Sequence, residues 1–94
     1  MQNWIKILLS AYNRQEVIIH FDQHTDIRAM SRNIDIDIIT ETVRAGKILG
    51  KKCDYPNKLC FYQFWNDGYT YVAIVRVYPS LFVVKTVWKK QGRI

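Results

Sequence analysis

The feature that most limits the fold of this chain is a period-two alternation of side chains that begins near Lys58 and runs almost to the end. Such alternation is typical of β-strands, whose successive side chains point to opposite faces of a sheet. An Asn-Asp-Gly segment (66–68) and a Pro-Ser pair (79–80) interrupt it, and Asp-Gly is among the strongest hairpin signals. The second half is therefore predicted to be a three-stranded antiparallel meander, with strands over 59–65, 69–78 and 81–90.

The first half of the chain predicts helices placed around one short strand. Apolar residues recur at three- and four-residue spacing over 3–13, which indicates an N-terminal helix. The segment VIIHF (17–21) is rich in the β-branched and aromatic residues that strands prefer. Two more helices are expected before the meander. The predicted order is α+β: N-terminal helix, short strand, two helices and three strands, with the helices on one face of the sheet.

The two middle helices are predicted from their polar and apolar positions. In the first, Ile27 and Met30 fall on an apolar side. In the second, Asp35 or Asp37 can cap the N-terminus, and Gly46 lies where a left-handed residue often closes a helix. The helices are expected over 23–32 and 36–46.

The faces of the meander follow from its turns if each loop has two residues. Tyr78 then opposes Leu81, and Asn66 opposes Tyr69. One face is assigned to the helices because it is nearly all apolar: Tyr62, Phe64, Tyr71, Ala73, Val75, Val77, Phe82, Val84, Thr86 and Trp88. The other face would carry Phe61, Gln63, Trp65, Thr70, Val72, Ile74, Arg76, Val83, Lys85 and Val87. Arg76 and Lys85 would be diagonal neighbours there, which is costly unless an anion separates them.

Length and charge restrict the class of partner. The 94 residues are expected to form one domain, and 49% of them are hydrophobic, which excludes a disordered chain. Fourteen Lys and Arg residues against eight Asp and Glu give a formal charge of +6. This excess favours polyanions, meaning nucleic acid before an anionic membrane surface, although a merely soluble basic protein would also fit.

Several other classes are disfavoured by the motifs that the sequence lacks. Cys53 and Cys60 make no disulfide framework and no zinc-ligand spacing, and no glycine-rich nucleotide-binding motif occurs, so neither a metal nor a cofactor is expected. The apolar run WIKILL is interrupted by Lys6 and is too short to span a bilayer. A soluble cytoplasmic protein without membrane contact is expected, and its oligomeric state stays open.

The segment HTDIRAMSR (24–32) places His24, Arg28 and Arg32 four residues apart on one stripe of a helix. An Arg fork matches a phosphate, and His can carry a proton near neutral pH. Together they supply what a metal-free ribonuclease needs: a proton carrier and fixed charge for the phosphorane. The alternative is a solvated basic edge.

Two further sets of residues are candidates for nucleic-acid contacts. Phe61 and Trp65 could stack bases while Arg76 and Lys85 hold the backbone of single-stranded RNA, unless a helix covers that face. The basic end of the chain could contact the backbone or could simply be solvated. Its candidate residues are Lys89, Lys90 and Arg93.

The stripe also carries a resemblance to known proteins. His24, Arg28 and Arg32 are followed by Ile34, and further along by an Ile-Val-Gly pattern (38–46) and VVKTVW (83–88), with Trp where Tyr is usual. This order resembles small toxin-like prokaryotic domains of unknown function that are similar to the BrnT and RelE toxins. The resemblance covers 17–89 and leaves out the N-terminal helix (1–16) and the basic tail (90–94).

The resemblance implies a compact α+β ribonuclease that needs no metal and has an antitoxin or immunity partner. Its matched polar positions would be His24, Arg28, Arg32 and Thr86, with a His24–Thr86 hydrogen bond that fixes the imidazole. Asn33 replaces a usual Gly, so it must adopt a positive φ.

We therefore expect a toxin-type ribonuclease that cleaves RNA through attack of the ribose 2′-OH on phosphorus. Two alternatives remain. One is a non-catalytic nucleic-acid-binding module, such as a small plasmid- or virus-borne regulator, and the other is an inert partner-binding domain.

Overall fold

A computed structural model describes residues 2–94 and confirms the α+β class. The helices are α1 (Asn3–Ser10), α2 (Gln23–Ser31) and α3 (Ile36–Ala45), with a 3-10 turn at Gly50–Lys52. The strands are β1 (Ile18–Phe21), β2 (Lys47–Ile48), β3 (Lys58–Phe64), β4 (Tyr69–Tyr78) and β5 (Leu81–Gln91). No helix in these residues is long and apolar enough to cross a membrane.

The strands form one mixed sheet in the order β1-β5-β4-β3-β2. The antiparallel meander is present as predicted, and β1 extends it by pairing parallel with β5. The predicted strand count was wrong, because β2 adds a fifth strand at the outer edge of β3. Two residues are too few to show a period-two pattern, so the sequence carried no signal for β2.

The turn between β3 and β4 is one residue longer than predicted. The Trp65 N–H donates to Tyr69 O at 2.9 Å, so 66–68 forms a three-residue loop whose glycine has a φ of 86°. Such loops commonly place Gly in the left-handed region. Phe64 therefore pairs with Thr70, one residue away from its predicted partner. This single step turns every β3 side chain to the opposite face.

A β-bulge in β5 causes a second departure from the predicted register. Val84 pairs with Val75 as expected, but the next pair joins Ile74 to Thr86, which leaves Lys85 as an extra residue. The predicted pairing holds before the bulge and fails after it. All later β5 side chains therefore lie on the face opposite to the predicted one.

These two corrections define the faces of the sheet. The helix side carries Leu59, Phe61, Gln63, Tyr71, Ala73, Val75, Val77, Phe82, Val84, Val87 and Lys89. The other side, which we call the open face, carries Lys47, Lys58, Cys60, Tyr62, Phe64, Thr70, Val72, Ile74, Arg76, Val83, Thr86, Trp88 and Lys90. The assignment was wrong for Tyr62, Phe64, Thr86 and Trp88, and in the opposite sense for Phe61, Gln63, Trp65 and Val87.

The core lies between the helices and the helix side of the sheet. Ile39 and Val43 of α3 and Ile5 of α1 are fully buried against it. Tyr12, just beyond α1, packs edge-on against the buried Phe82 ring, with 5.1 Å between centroids. The apolar residues that α1 and α3 bury belong to this core.

Helix α2 lies along the edge of β5 beyond the point where β1 ends. The single hydroxyl hydrogen of Thr25 is shared between Lys85 O at 2.8 Å and Val84 O at 3.1 Å, and Val84 O also accepts from the Asp22 N–H at 3.2 Å. Arg32 Nη1 donates to Val87 O at 2.7 Å. The helix therefore supplies the hydrogen bonds that a further strand would otherwise make to this edge.

The buried side of α2 differs from the prediction. Ile27 and Met30 are 58% and 79% exposed, whereas Thr25 and Ala29 are buried. A helix at a sheet edge contacts a narrow strip of backbone, and small residues allow the close approach that its hydrogen bonds require. The apolar side expected from Ile27 and Met30 faces outward instead.

The ends of the helices follow three local rules. Asp35 caps α3, because its carboxylate accepts a hydrogen bond from the Asp37 N–H at 2.8 Å. Asn33 has the predicted positive φ, at 56°. Gly46 is not left-handed, as its φ is −71°; it is needed because a Cβ there would lie 2.7 Å from Tyr62 O.

Candidate nucleic-acid interface

The open face carries cations and no carboxylate. All eight acidic residues lie in helices, turns or loops, and none lies within a strand of the described chain. The cations of the open face come from four strands and are Lys47, Lys58, Arg76 and Lys90. The positive charge of this face is therefore not offset by acidic neighbours within the sheet.

Aromatic side chains lie among these cations. Tyr62 and Trp88 flank Val72 in one row of paired residues, and Lys47 continues the row beyond Tyr62. Neighbouring strands are about 4.8 Å apart, so Tyr62 and Trp88 stand roughly 10 Å apart. Phe64 follows Tyr62 on the same face, about 7 Å farther along the strand. The three rings form a triangle near the end of the sheet that carries the β3–β4 turn.

The rings are half-buried, and the smaller residues beneath them are closed off from solvent. Val72 is fully buried between its larger neighbours. At one end the Arg93 guanidinium lies 4.0 Å above the Phe64 ring centroid. The tail is held there by Thr70 Oγ1, which donates to Gly92 O at 2.6 Å. The surface is thus a packed platform with its ring faces partly accessible.

The cations of the open face differ in their partners. Lys58 forms an ion pair with Asp54 at 3.5 Å, and Arg76 Nη1 donates to Asn57 Oδ1 at 3.0 Å. Lys47 and Lys90 are exposed and make no side-chain hydrogen bond or ion pair within residues 2–94. Lys47 and Lys90 are therefore available to a ligand, and Arg76 keeps an uncompensated charge because Asn57 is a neutral amide.

The three residues of the α2 stripe, His24, Arg28 and Arg32, have different environments in the structure. His24 and Arg28 are exposed, but the Arg32 guanidinium is bound to the Val87 carbonyl. Lys85 pairs with the N-cap carboxylate of Asp22 at 3.2 Å. The His24 N–H and then Lys85 lower the pKa of Asp22, because both hydrogen bonds favour its charged form.

The expected partner of the stripe lies elsewhere. Thr86 is on the open face, whereas α2 packs against the edge of β5 through Thr25, and the predicted His24–Thr86 hydrogen bond is absent. The predicted pair of Arg76 and Lys85 is also separated, because the bulge removes Lys85 from the regular ladder. The four candidate catalytic residues are therefore not gathered at one place.

The predicted nucleic-acid contacts are likewise divided between the two sides. Phe61 is fully buried, and Trp65 packs against the helix-side Tyr71 at 6.5 Å. Lys89 donates to a backbone carbonyl next to α2. Of the predicted set, Arg76 and Lys90 lie on the open face, and Arg93 reaches it by stacking on the Phe64 ring.

The aromatic residues of the platform were missed by sequence reasoning, although one signal was present. Gly68 in the third position of the turn is typical of a three-residue loop, which would have placed Tyr62 and Phe64 correctly. The bulge carried no comparable sequence signal, because the burial of both Val84 and Val87, three residues apart, is evident only in the fold. No local sequence pattern predicted that Arg93 of the C-terminal tail would lie over the Phe64 ring.

The remaining side chains with reactive or metal-binding potential are the two cysteines and the scattered His, Asp and Glu residues. Cys53 and Cys60 are free and buried, and burial raises the pKa of the Cys60 thiol to about 11, so it is protonated at neutral pH. No group of three or more His, Cys, Asp or Glu residues able to hold a metal occurs within residues 2–94.

Comparisons with known proteins assign the chain to no family. No family model, no curated protein and no solved structure matches it. The likeness to BrnT and RelE toxins stays a prediction, and function is inferred from the open face and α2 themselves.

Proposed function

We propose that this protein is a non-catalytic module that binds single-stranded nucleic acid on the open face of its sheet. The observation that carries the proposal is the union of a cationic face whose strands contain no carboxylate with the half-buried rings of Tyr62, Phe64 and Trp88, of which Phe64 is stacked by Arg93. Sheets that present two or three aromatic rings stack unpaired bases, and surrounding cations hold the phosphates.

The geometry favours a single strand over a duplex. Stacking on rings requires bases that are not already paired and stacked with their neighbours. The roughly 10 Å between Tyr62 and Trp88 leaves room for a strand to cross the sheet from β5 to β3, with Lys90 and Lys47 at the two ends of its path. Contacts of this kind read the presence of bases more than their sequence.

The test is fluorescence anisotropy with a labelled 12-nucleotide RNA, the same sequence as DNA, and a duplex, over a series of salt concentrations. Trp88→Ala should weaken binding to the single strands by about tenfold or more, because stacking on one ring contributes about 1–3 kcal/mol. Affinity should fall as salt rises, since phosphate contacts release counterions.

Two arginines provide a matched control. Arg76→Gln removes a cation of the open face, and Arg28→Gln removes one from the exposed side of α2. Only Arg76→Gln should weaken binding. A loss confined to Arg28→Gln would move the site to α2. Absence of any salt-dependent affinity would instead favour the inert partner-binding domain.

We propose a metal-independent ribonuclease as the second candidate, because His24 and Arg28 are both exposed one helical turn apart on α2. His24 would take the proton of the 2′-OH as its oxygen attacks phosphorus, and Arg28 would stabilise the phosphorane. The P–O5′ bond would then break to give a 2′,3′-cyclic phosphate, and the 5′-oxygen would leave as a hydroxyl after taking a proton from water or from the His24 imidazolium. The Arg32 guanidinium is bound to the Val87 carbonyl, and Thr86 lies on the open face. His24 and Arg28 would therefore act without Arg32 and Thr86. An antitoxin partner belongs to this candidate alone.

The two candidates are separated by turnover. RNA incubated with the purified chain should stay intact if the chain only binds, and growth should continue when it is expressed. Fragments that disappear with His24→Ala and with Arg28→Ala would establish the ribonuclease and identify α2 as its active site.

A further inference from the structure

A pocket of about 260 Å³ opens at the β2 edge of the open face. Its walls include Lys47, Tyr62, Phe64 and Arg93, with Gly46 at the base of the β2 strand. The volume is slightly below the roughly 300 Å³ at which pockets for small ligands begin, so it suits one nucleotide better than a large cofactor. The pocket continues the platform, because two of its walls are platform rings.

The backbone of β3 offers a donor and an acceptor to this pocket. Trp65 bonds to β4, and the Cys60 carbonyl accepts from Leu49 on the opposite side of β3. Because backbone groups alternate along an antiparallel strand, those of Phe64 point away from β4 like those of Cys60. Strand β2 pairs β3 only as far as Tyr62. The N–H and C=O of Phe64 therefore face the uncovered edge, where a base could pair with both.

The cations of the pocket are arranged for a phosphate. Lys47 stands beside Tyr62 and has no partner within residues 2–94. Arg93 is stacked on Phe64, and a guanidinium stacked in this way keeps its in-plane N–H groups free for an anion. No carboxylate lines the pocket.

The C-terminus of α3 also borders the pocket, and its carbonyls would ordinarily repel a phosphate. Arg14 removes much of this repulsion. Its guanidinium donates to Val43 O at 2.8 and 3.0 Å and to Gly46 O at 2.8 Å. The negative end of the helix is thus bound by a cation from the side away from the open face.

We propose that the pocket is a subsite for one nucleotide of the bound strand. Its phosphate is held by Lys47 and Arg93, and its base lies against Tyr62 within reach of the Phe64 N–H and C=O. The subsite rests on the proposed nucleic-acid binding, and it adds a position where a base is read by backbone groups as well as stacked.

The first experiment titrates the full ¹⁵N-labelled chain with uridine 5′-monophosphate and, separately, with uridine. The nucleotide should shift the amide signals of Lys47 and Phe64, and uridine should shift them at least fivefold more weakly. Lys47→Ala/Arg93→Ala should abolish the difference, while the control Lys51→Ala/Lys52→Ala, which removes two exposed cations of the 3-10 turn, should preserve it. Equal responses to both ligands, or an unchanged response in Lys47→Ala/Arg93→Ala, would overturn the subsite.

The second experiment separates failure of the subsite from failure of the proposed function. With a single-stranded 12-nucleotide RNA, Lys47→Ala/Arg93→Ala should reduce the slope of log affinity against log salt by about 0.7, the value for one phosphate of a single strand. An unchanged slope, with binding still dependent on Trp88, would eliminate the subsite and leave the function standing. Binding of uridine 5′-monophosphate without any affinity for the 12-mer would leave the pocket as a nucleotide site and eliminate the proposed function.

Discussion

Arg14 joins the loop before β1 to the C-terminus of α3. It bonds two carbonyls there, and its guanidinium lies 4.6 Å from the Phe61 ring centroid. Arg44 of α3 bonds the same loop in the opposite direction, because its guanidinium donates to Arg14 O at 2.8 Å and to Val17 O at 3.1 Å. Two arginines thus fasten α3 to the chain that leads into the sheet edge.

Arg14→Ala should lower the free energy of unfolding by about 2–3 kcal/mol, because hydrogen bonds from a charged donor are lost and the carbonyls beneath it are left without it. Urea denaturation would measure the change. Arg93→Ala removes a guanidinium that is also stacked on a ring but bonds no carbonyl, and it should cost less than 1 kcal/mol. Equal effects would mean that the stacking matters and the carbonyl bonds do not.

Gly46 is required by space and not by a left-handed backbone. Gly46→Ala should destabilise the fold by about 1–3 kcal/mol, since the new Cβ would press on the carbonyls of Thr42 and Tyr62. Gly50→Ala is the control, because a Cβ at that position meets nothing within 4 Å. Thermal unfolding of the two variants side by side would decide the point, and a neutral Gly46→Ala would contradict it.

At the scale of the elements, α2 depends on its bonds to the edge of β5. Thr25→Val keeps the buried shape but removes the hydroxyl that serves Val84 O and Lys85 O, so it should cost about 1–3 kcal/mol. Ser31→Ala removes an exposed hydroxyl of the same helix and should be nearly neutral. Hydrogen exchange of the α2 amides should accelerate in the first variant alone.

The β3–β4 turn should respond to alkaline pH. Burial, and then the hydrogen bond to Asp67, raise the pKa of Tyr71 to about 12 from its ordinary 10.0. A raised pKa in the folded state gives stability that is complete below pH 10 and is lost as the pH rises toward 12. The stability advantage of the native chain over Tyr71→Phe should therefore shrink above pH 10 in urea titrations. The exposed Tyr55→Phe should show no such trend.

Elements and faces differ in how far the sequence predicts them. The strand 69–78 was predicted with its observed bounds, because eight of its ten residues are β-branched or aromatic and turn residues flank it on both sides. The faces of its neighbours were wrong, since each depends on a single residue: the third member of the turn at 66–68 and the extra Lys85. A period-two pattern determines that a strand exists, but pairing with the next strand depends on the loop.

At the scale of the molecule, the sheet separates a packed side from a cationic aromatic side. Charge alone predicted a polyanion partner, yet it could not locate the surface, because Tyr62, Phe64 and Trp88 meet only after three strands and a tail have paired. The α2 stripe looked like one site in the sequence, but the fold uses Arg32 for a backbone carbonyl. Local spacing cannot reveal such a tertiary role.

The three tryptophans offer a test of the whole arrangement. Trp4 belongs to α1, Trp65 packs on the helix side, and Trp88 lies on the open face. In a Trp4→Phe/Trp65→Phe variant, RNA should quench most of the remaining fluorescence, because bases stack on Trp88. In the matched Trp4→Phe/Trp88→Phe variant the signal of Trp65 should change little. Quenching of Trp65 instead would place the ligand on the helix side of the sheet and contradict binding at the open face.

The bulge at Lys85 has a consequence for how this chain can tolerate changes in length. Removing one residue from the middle of a paired strand ordinarily inverts every side chain downstream. Lys85 is the exception, since the flanking Val84 and Thr86 already lie on opposite sides and pair with consecutive residues of β4. A chain lacking Lys85 could keep the same two faces and lose only an ion pair and one acceptor of Thr25. Related sequences with a gap at this position would therefore still present Trp88 and Lys90 outward.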